Sequence, residues 1–368
     1  MSRVAVLGGG QLGWMLALAG IPLGSEFVFM DPAADAPGAG VGAVVVGALD
    51  DLEAARTVAD GADVVTYEWE GVPAATARAL EHIAPVYPPP LALDVAQDRV
   101  LEKETLRRLG IETAPFEAVN SRADIEHGLD SIGFPAVLKT RRGGYDGKGQ
   151  VMLRQASDVE PAWQSVAHSP CILEGFVDFD RELSIVGVRA RNGEIACWPA
   201  VENRHRDGIL RVTRAPAPGL DAELQARAEA TIRPLFESLG YVGVGCVELF
   251  DVDGKLYANE IAPRVHNSGH WTIEGAETSQ FENHVRAVLG LPLGATAARG
   301  ASAMVNCIGA MPELEAILRI PGAHLHDYGK TPRPGRKLGH VTVTACDADE
   351  LGGRLAAVVE LCDRAGLA

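Results

Sequence analysis

Apolar and polar positions along this chain change period several times, and each change marks an element. Residues 3–7 (Arg-Val-Ala-Val-Leu) form a short apolar run that breaks at Gly8-Gly9-Gly10 and passes into a helical stretch over 11–19. A second run over 26–30 ends at Asp31; Ala43–Val46 and Val64–Tyr67 are further strand candidates, with a helical segment after Asp50 between them. Short apolar strands alternating with helices predict parallel β-α-β units in a doubly wound sheet. Pro88-Pro89-Pro90 cannot continue a helix and marks the first domain boundary. A helix over 98–109 follows, closed by Gly110.

From about residue 112 the pattern becomes that of a small α+β unit: strands at 135–140, Gln150–Leu153, 171–177 and 182–189, and a helix between 157 and 167. A longer helix over 221–239 places Leu224, Ala228, Ile232, Leu235 and Leu239 on one face. It leads to a hairpin, 242–250 and 256–261, turning through Asp251-Val252-Asp253-Gly254. The remainder reads as short strands and a final helix.

Composition narrows the possible partners. The 368 residues suffice for two to three domains, and 47% apolar with 22% charged residues is a globular balance. A formal net charge of −16 argues against a nucleic acid or an anionic membrane as the main partner, but not against small anions, which respond to the local field. Six scattered cysteines form no C-x-x-C and no metal spacing, which predicts plain thiols in a reducing cytoplasm. No apolar run predicts a membrane span, and three glycines and Gln11 interrupt any secretory signal near the start.

Five clusters could carry chemistry. Gly8-x-Gly10-x-x-Gly13 lies between a strand and a helix, where backbone N–H groups can hold a phosphate; with Asp31 as a ribose acid it would fit a dinucleotide. The same glycines could serve only close packing, or hold another phosphorylated ligand. The segment 139–150 combines four glycines with Lys139, Arg141, Arg142 and Lys148, and predicts a flap whose amides and cations close on polyphosphate; a solvated hairpin tip is the plainer alternative. Glu248 and Glu260 flank the Asp253-Gly254 turn. A two-residue turn alone puts them on opposite faces, whereas one extra residue makes them opposed and same-facing, a site for Mg²⁺ with nucleotide phosphates. Immediately after comes a polar loop, 262–271, with Arg264, Asn267 and Ser268 suited to a small oxyanion, and 330–337 offers four more cations.

In this order the clusters resemble the ATP-grasp superfamily. Gly-Gln-Leu-Gly at 10–13, Gly-Gly-Tyr-Asp-Gly-Lys-Gly-Gln at 143–150, the block 259–272 and Arg-Pro-Gly-Arg-Lys-x-Gly-His at 333–340 resemble the N5-carboxyaminoimidazole ribonucleotide synthetase family. Trp14 departs from an arginine common in that family. The resemblance implies an ATP-grasp fold, α/β and α+β, divided into a Rossmann-like N-terminal (pre-ATP-grasp) domain over 1–90, a linker helix and small lid over 91–190 and a large domain over 191–368. It implies a cytoplasmic homodimer, a ligase making N5-carboxyaminoimidazole ribonucleotide from 5-aminoimidazole ribonucleotide, bicarbonate and MgATP.

Matched residue by residue, the resemblance sets Arg99, Lys139 and Gly144, Tyr145, Asp146, Gly147, Lys148, Gly149 and Gln150 at ATP phosphates. Glu174, Gly175, Phe176 and Val177 would line the adenine, with Glu182 at the ribose and His205 nearby. Glu248 and Glu260 would hold Mg²⁺ beside Asn259. Tyr145, Arg264, His266, Asn267 and Ser268 would surround bicarbonate and carboxyphosphate. Gln11, Leu12, Lys330, Arg336 and Lys337 would take the ribonucleotide. Rival readings are another ATP-grasp ligase, which would lack the 259–272 block, a dinucleotide oxidoreductase, and a nucleotide sensor without metal acids. The expected charge distribution is an acidic surface around a basic cleft.

Overall fold

The computed structural model describes residues 1–144 and 149–367. At the N-terminus, strands Ser2–Leu7, Ser25–Asp31, Ala43–Val46 and Val64–Tyr67 pair in parallel, with Ser2–Leu7 between Ser25–Asp31 and Val64–Tyr67. Helices Gln11–Gly20 and Leu52–Ala59 connect them, as the alternating pattern predicts. The proline run does more than end this unit. Pro89 is the N-cap and Pro90 the first residue of a helix, Pro90–Ala96, that the sequence reading missed. Proline breaks helix interiors but suits the first turn, where its missing N–H has no intrahelical partner. Helix Arg99–Arg108 follows at once, capped by Asp98.

The small unit is an antiparallel sheet ordered Phe116–Val119, Cys171–Gly175, Ala136–Thr140, Gln150–Leu153. Helices Arg122–Ile132 and Val159–Ser165 cover it around a core of Ile125, Leu129, Leu138, Leu153 and Trp163. The strand Arg181–Arg189, grouped by the sequence pattern with this unit, instead pairs with Gly243–Val252 and Val201–Arg206. It carries Leu183, Ile185, Val186 and Val188, all buried, and the larger sheet has helices on both sides to cover two apolar faces.

Among the described residues that larger sheet has nine strands. Its path runs Lys255–Ala262, Gly243–Val252, Arg181–Arg189, Val201–Arg206, Ile209–Ala215, Ala301–Ile308, Lys337–Ala345, Ala323–Asp327, with Ile195–Cys197 beside Arg181–Arg189. Helix Ala222–Ser238 buries the predicted Leu224, Ala228, Ile232 and Leu235 beneath it. One core cluster spans the boundary between units: Leu12, Met15 and Leu16 of helix Gln11–Gly20 pack with Phe281, Val285 and Val288 of helix Gln280–Leu289. This docking holds the first glycine loop against the mouth of the large sheet. Among the described residues no helix is long and apolar enough to cross a membrane, and all six cysteines are free.

Candidate active site

A cleft of about 930 Å³ opens where the three sheets meet, and it collects residues from all five sequence clusters. Its N-terminal wall differs from the sequence expectation. The amides of the first glycine loop already hold an anion of the protein itself. Gly10 N–H donates to Glu68 Oε1 at 2.9 Å, and the N–H groups of Leu12 and Gly13 donate to Oε2 at 2.9 and 3.0 Å. Gly8, with φ of 102°, and Gly10 leave the space this carboxylate fills. Asp31 accepts from the N–H groups of Gly9 and Ala33, both at 2.9 Å. A dinucleotide pyrophosphate and ribose would need these same groups, so the oxidoreductase reading loses its site. Burial pushes the Glu68 carboxyl upward, and the amides of Gly13 and Gly10 pull it back only in part. Gln11 and Leu12 line the cleft, and Gln11 Oε1 accepts from Lys330 Nζ across the domain boundary.

On the opposite wall the hairpin answers the question its sequence left open. The turn is a two-residue one, Asp253 and Gly254 with φ of 49° and 79°, so Val252 faces Lys255. An extra residue is nonetheless present, further along. The register slips between Glu248 and Leu249, pairing Leu249 with Ala258 but Glu248 with Glu260. Asn259 is the bulge, and the two carboxylates are directly opposed.

Each acid has a cation beside it. Glu248 lies 3.2 Å from His266 Nε2, and Glu260 lies 3.2 Å from Arg99 Nη1. Burial opposes ionisation of Glu248, but the hydrogen bond and charge of His266 outweigh it and hold the carboxyl low. Burial likewise opposes the imidazolium of His266, which Cys246 and Glu248 beside it favour, so its pKa is raised. Asn259 Oδ1 is buried without a hydrogen-bond partner among the described residues. Two opposed carboxylates and an orphaned amide oxygen are the hard oxygen donors that Mg²⁺ takes, so this set fits the metal.

The loop after the hairpin is held from several sides. Arg264 pairs with Glu70 and donates to Val265 O at 2.9 Å. Burial would raise Glu70, but Arg264 holds it below the usual carboxylate range. His266 Nδ1 lies 2.8 Å from Ser268 Oγ, and the Gln280 amide bonds both the N–H and the C=O of His266. Ser268 is fully buried behind His266 and does not reach the cleft. The Asn267 side-chain amide is paired with that of Asn306 in both directions, at 2.7 and 3.1 Å.

The flap's stem is likewise tied. Arg141 Nε and Arg142 Nη2 bond the Asp98 carboxylate at 2.6 and 2.9 Å, so these two cations, read as polyphosphate ligands, are tied to the linker helix while both line the cleft. Lys139 Nζ bonds Glu174 Oε2 at 2.7 Å. Burial would raise Glu174, but Lys103 and Lys139 hold it at about 2.

Arg99, Lys139, Gly144, Gln150, Glu182, His205, Glu248, Asn259, Glu260, Arg264, His266, Asn267 and Lys337 line the cleft. Glu174 sits behind Lys139, and Gly149, Gly175, Phe176, Val177, Ser268, Lys330 and Arg336 lie outside the lining. Tyr145, Asp146, Gly147 and Lys148 fall outside the described residues. His205 Nδ1 bonds Glu182; burial disfavours its charge, but Glu182 raises its pKa.

The cleft is not simply basic. Glu68, Glu70, Glu102, Glu182, Glu248 and Glu260 face Arg99, Lys139, Arg141, Arg142, Arg264 and Lys337. Arg204 and Arg206, counted with the basic cleft by sequence, line a separate pocket of about 170 Å³ beside Arg211. Sequence reasoning missed Glu68, Glu70 and Glu102. The first two stand in Tyr67-Glu68-Trp69-Glu70 at a strand end, the place where α/β sheets present functional groups, and that was the available signal.

Comparison with known proteins agrees with this geometry. Residues 1–97 match the ribonucleotide synthetase preATP-grasp domain, 104–281 the ATP-grasp domain, and 302–354 the phosphoribosylaminoimidazole carboxylase C-terminal domain. The N5-carboxyaminoimidazole ribonucleotide synthase of Pseudomonas aeruginosa is 52% identical over 98% of this chain and 99% of that one. The crystal structure of the synthetase from Thermus thermophilus superposes with a TM-score of 0.94 at 53% identity, covering 97% of this chain and 98% of that one. A synthase structure from Aspergillus clavatus, in complex with ADP and 5-aminoimidazole ribonucleotide, gives a TM-score of 0.93 at 32% identity and 99% coverage of both chains. Strand order, cleft and sequence thus agree: the chain belongs to the N5-carboxyaminoimidazole ribonucleotide synthase family, an ATP-grasp ligase fold behind a pre-ATP-grasp domain.

Proposed function

We propose that this chain is an ATP-dependent carbon–nitrogen ligase that carboxylates 5-aminoimidazole ribonucleotide with bicarbonate in purine biosynthesis. Its products are N5-carboxyaminoimidazole ribonucleotide, ADP and phosphate. The observation that carries this reading is the convergence in one cleft of Arg99, Lys139 and the opposed Glu248 and Glu260 with Arg264, His266 and the Gln11 loop. ATP-grasp residues alone would suit many ligases; Arg264 and His266 facing a pre-ATP-grasp wall suit a small carboxyl donor and a ribonucleotide acceptor. The Aspergillus relative with ADP and 5-aminoimidazole ribonucleotide supports the same pair of ligands.

Glu248, Glu260 and Asn259 would hold Mg²⁺, which neutralises charge on the phosphate oxygens. Arg99 and Lys139 would grip the nucleotide phosphates from the linker helix and the small sheet, together with the flap 144–150. Glu182, hydrogen-bonded to His205, would bind the ribose hydroxyls, and the strand end 174–177 would meet the adenine. A bicarbonate oxygen bonds to the γ-phosphorus as the bond to ADP breaks. Arg264 and an imidazolium at His266 would steady this anion in a site closed to water, since carboxyphosphate hydrolyses readily. Asn267 and Ser268 hold that loop in shape. The carbon–oxygen bond to phosphate breaks, the exocyclic amine bonds to the carboxyl carbon either in that step or as the CO2 it frees, and the amine's proton leaves with the phosphate. Gln11, Leu12, Lys330, Arg336 and Lys337 would seat the ribonucleotide, and Tyr145 would belong with Arg264 and His266 at the bicarbonate. A cytoplasmic homodimer belongs to the same reading.

The test is ADP release measured with and without 5-aminoimidazole ribonucleotide and bicarbonate. Strong stimulation by both together is expected. Release indifferent to the ribonucleotide would leave only an ATP-grasp ligase of another specificity.

A further inference from the structure

The opposed acid pair depends on one surplus residue. The two-residue turn sets a register that runs to Leu249–Ala258. Continued unbroken, that register would face Glu248 with Asn259 and turn Glu260 to the other side of the sheet, because successive residues of a strand point to opposite faces. The slip at Asn259 is what brings Glu260 opposite Glu248.

Lys255–Ala262 is the edge strand of its sheet, so alternate backbone groups lack ladder partners; the bulge adds Asn259 O to them, and buried groups of this kind must find other partners. Here helix Arg99–Arg108 supplies them. Lys103 Nζ donates to Ala258 O at 3.2 Å and to Asn259 O at 2.6 Å. Ile261 N–H donates to Glu102 Oε1 at 2.5 Å. Both side chains are 1% exposed. An ammonium that deep is costly unless hydrogen-bonded and paired, and Lys103 completes its set with Glu174 at 3.7 Å. It is also outside the cleft lining, so it is not placed to touch substrate.

We infer that Glu102 and Lys103 are positioning residues that lock the Asn259 bulge, and with it the register that sets both glutamates on the cleft side. The consequence for metal binding rests on the reading of Glu248 and Glu260 as the Mg²⁺ pair; the geometry of the brace does not. A chain lacking Asn259 separates the two. Deletion removes the surplus residue and Asn259 O with it, so the pairs 249–258 and 248–260 become neighbours in a regular ladder whose register no longer needs the brace.

The experiment compares Lys103→Met with and without the Asn259 deletion in the full-length protein. It reads thermal unfolding, and Mn²⁺ binding in the presence of a non-hydrolysable ATP analogue. Lys103→Met should lower the melting temperature and weaken Mn²⁺ by roughly 10- to 100-fold when Asn259 is present. In the deletion background it should change both far less, the coupling expected of residues sharing one interaction. Folding of Lys103→Met only in the deletion background also supports the brace. Equal losses in both backgrounds, failure to fold in both, or a deletion chain that does not fold overturns it. If Glu248→Gln and Glu260→Gln leave Mn²⁺ binding intact, the metal reading falls, while the melting temperatures still judge the brace.

Discussion

Arg264 is poised before any ligand arrives. Glu70 and Val265 O fix its guanidinium, and its remaining donors face the cleft beside His266. Fixed donors aimed where charge develops act mainly on the transition state. Arg264→Ala should therefore lower kcat by roughly 100- to 1000-fold, while the dissociation constant of an ATP analogue moves little. Arg264→Lys should recover only part, because one ammonium cannot hold Glu70 and face the anion together. An unchanged kcat with ribonucleotide-dependent ADP release would remove Arg264 from the chemistry. Lys330 yields a pH test. Burial pulls its ammonium down to about 8; Glu68 opposes this, and Arg336, Lys337 and Arg333 add to it. The charge is present below that pH and lost above it, so kcat/KM for the ribonucleotide should fall above about pH 8. In Lys330→Arg that fall should vanish, as a guanidinium stays charged. Arg264 was legible as a cleft residue because it sits in a polar motif, whereas Lys330, read the same way, lies outside the lining and meets it through Gln11. Glu68, Glu102 and Lys103 were not legible: each is a charged residue whose partners are backbone groups, up to 159 positions away for Glu102, and no spacing encodes that.

Elements carry the next layer, and Asp98 shows how one cap can do two jobs. Its Oδ1 accepts from the N–H groups of Val100 and Leu101, starting the helix that bears Arg99, Glu102 and Lys103. The same carboxylate takes Arg141 and Arg142 at the root of the flap. Asp98→Asn keeps a good cap but loses the charge, whereas Asp98→Ala loses both. The alanine variant should be less stable than the asparagine variant by about 1 kcal/mol, the usual worth of an N-cap. Both should raise KM for ATP, and to a similar degree, because the flap root is loosened in each. A KM unchanged in both would mean the Arg141–Arg142 anchorage is irrelevant to nucleotide binding. The helix itself was legible from Asp98 and Gly110. The helix Pro90–Ala96 was hidden because prolines that stop one helix also start another. The helix Arg122–Ile132 was hidden because its weak apolar pattern outweighed a Ser121–Asp124 capping box that was plain in the sequence. The hairpin could be read only as two alternatives, since a turn's length says nothing of a bulge several residues away.

At the scale of the molecule the cores are unequally shared. The N-terminal sheet and the large sheet meet through helices Gln11–Gly20 and Gln280–Leu289 in a single cluster, reinforced by Thr66 with His284 at 2.9 Å. The small sheet keeps its own core, to which Leu138, Leu173 and Trp163 belong. The acidic chain thus has a cleft with two walls that share a core and a third with a core of its own, and its net charge of −16 is offset locally by pairing, not by an excess of bases. Leu16 and Leu138 are both buried, so alanine at either should cost about 2–5 kcal/mol. The cost should fall in different places. Leu16→Ala should lower the main unfolding transition seen by calorimetry and weaken the ribonucleotide, because it loosens the wall that carries Gln11. Leu138→Ala should raise amide exchange within 113–177 alone, weaken ATP, and leave the exchange of helix Gln11–Gly20 unaltered. A cleft whose three walls formed one cooperative unit would instead show the same exchange pattern for both variants, and an independent small wall would then be ruled out.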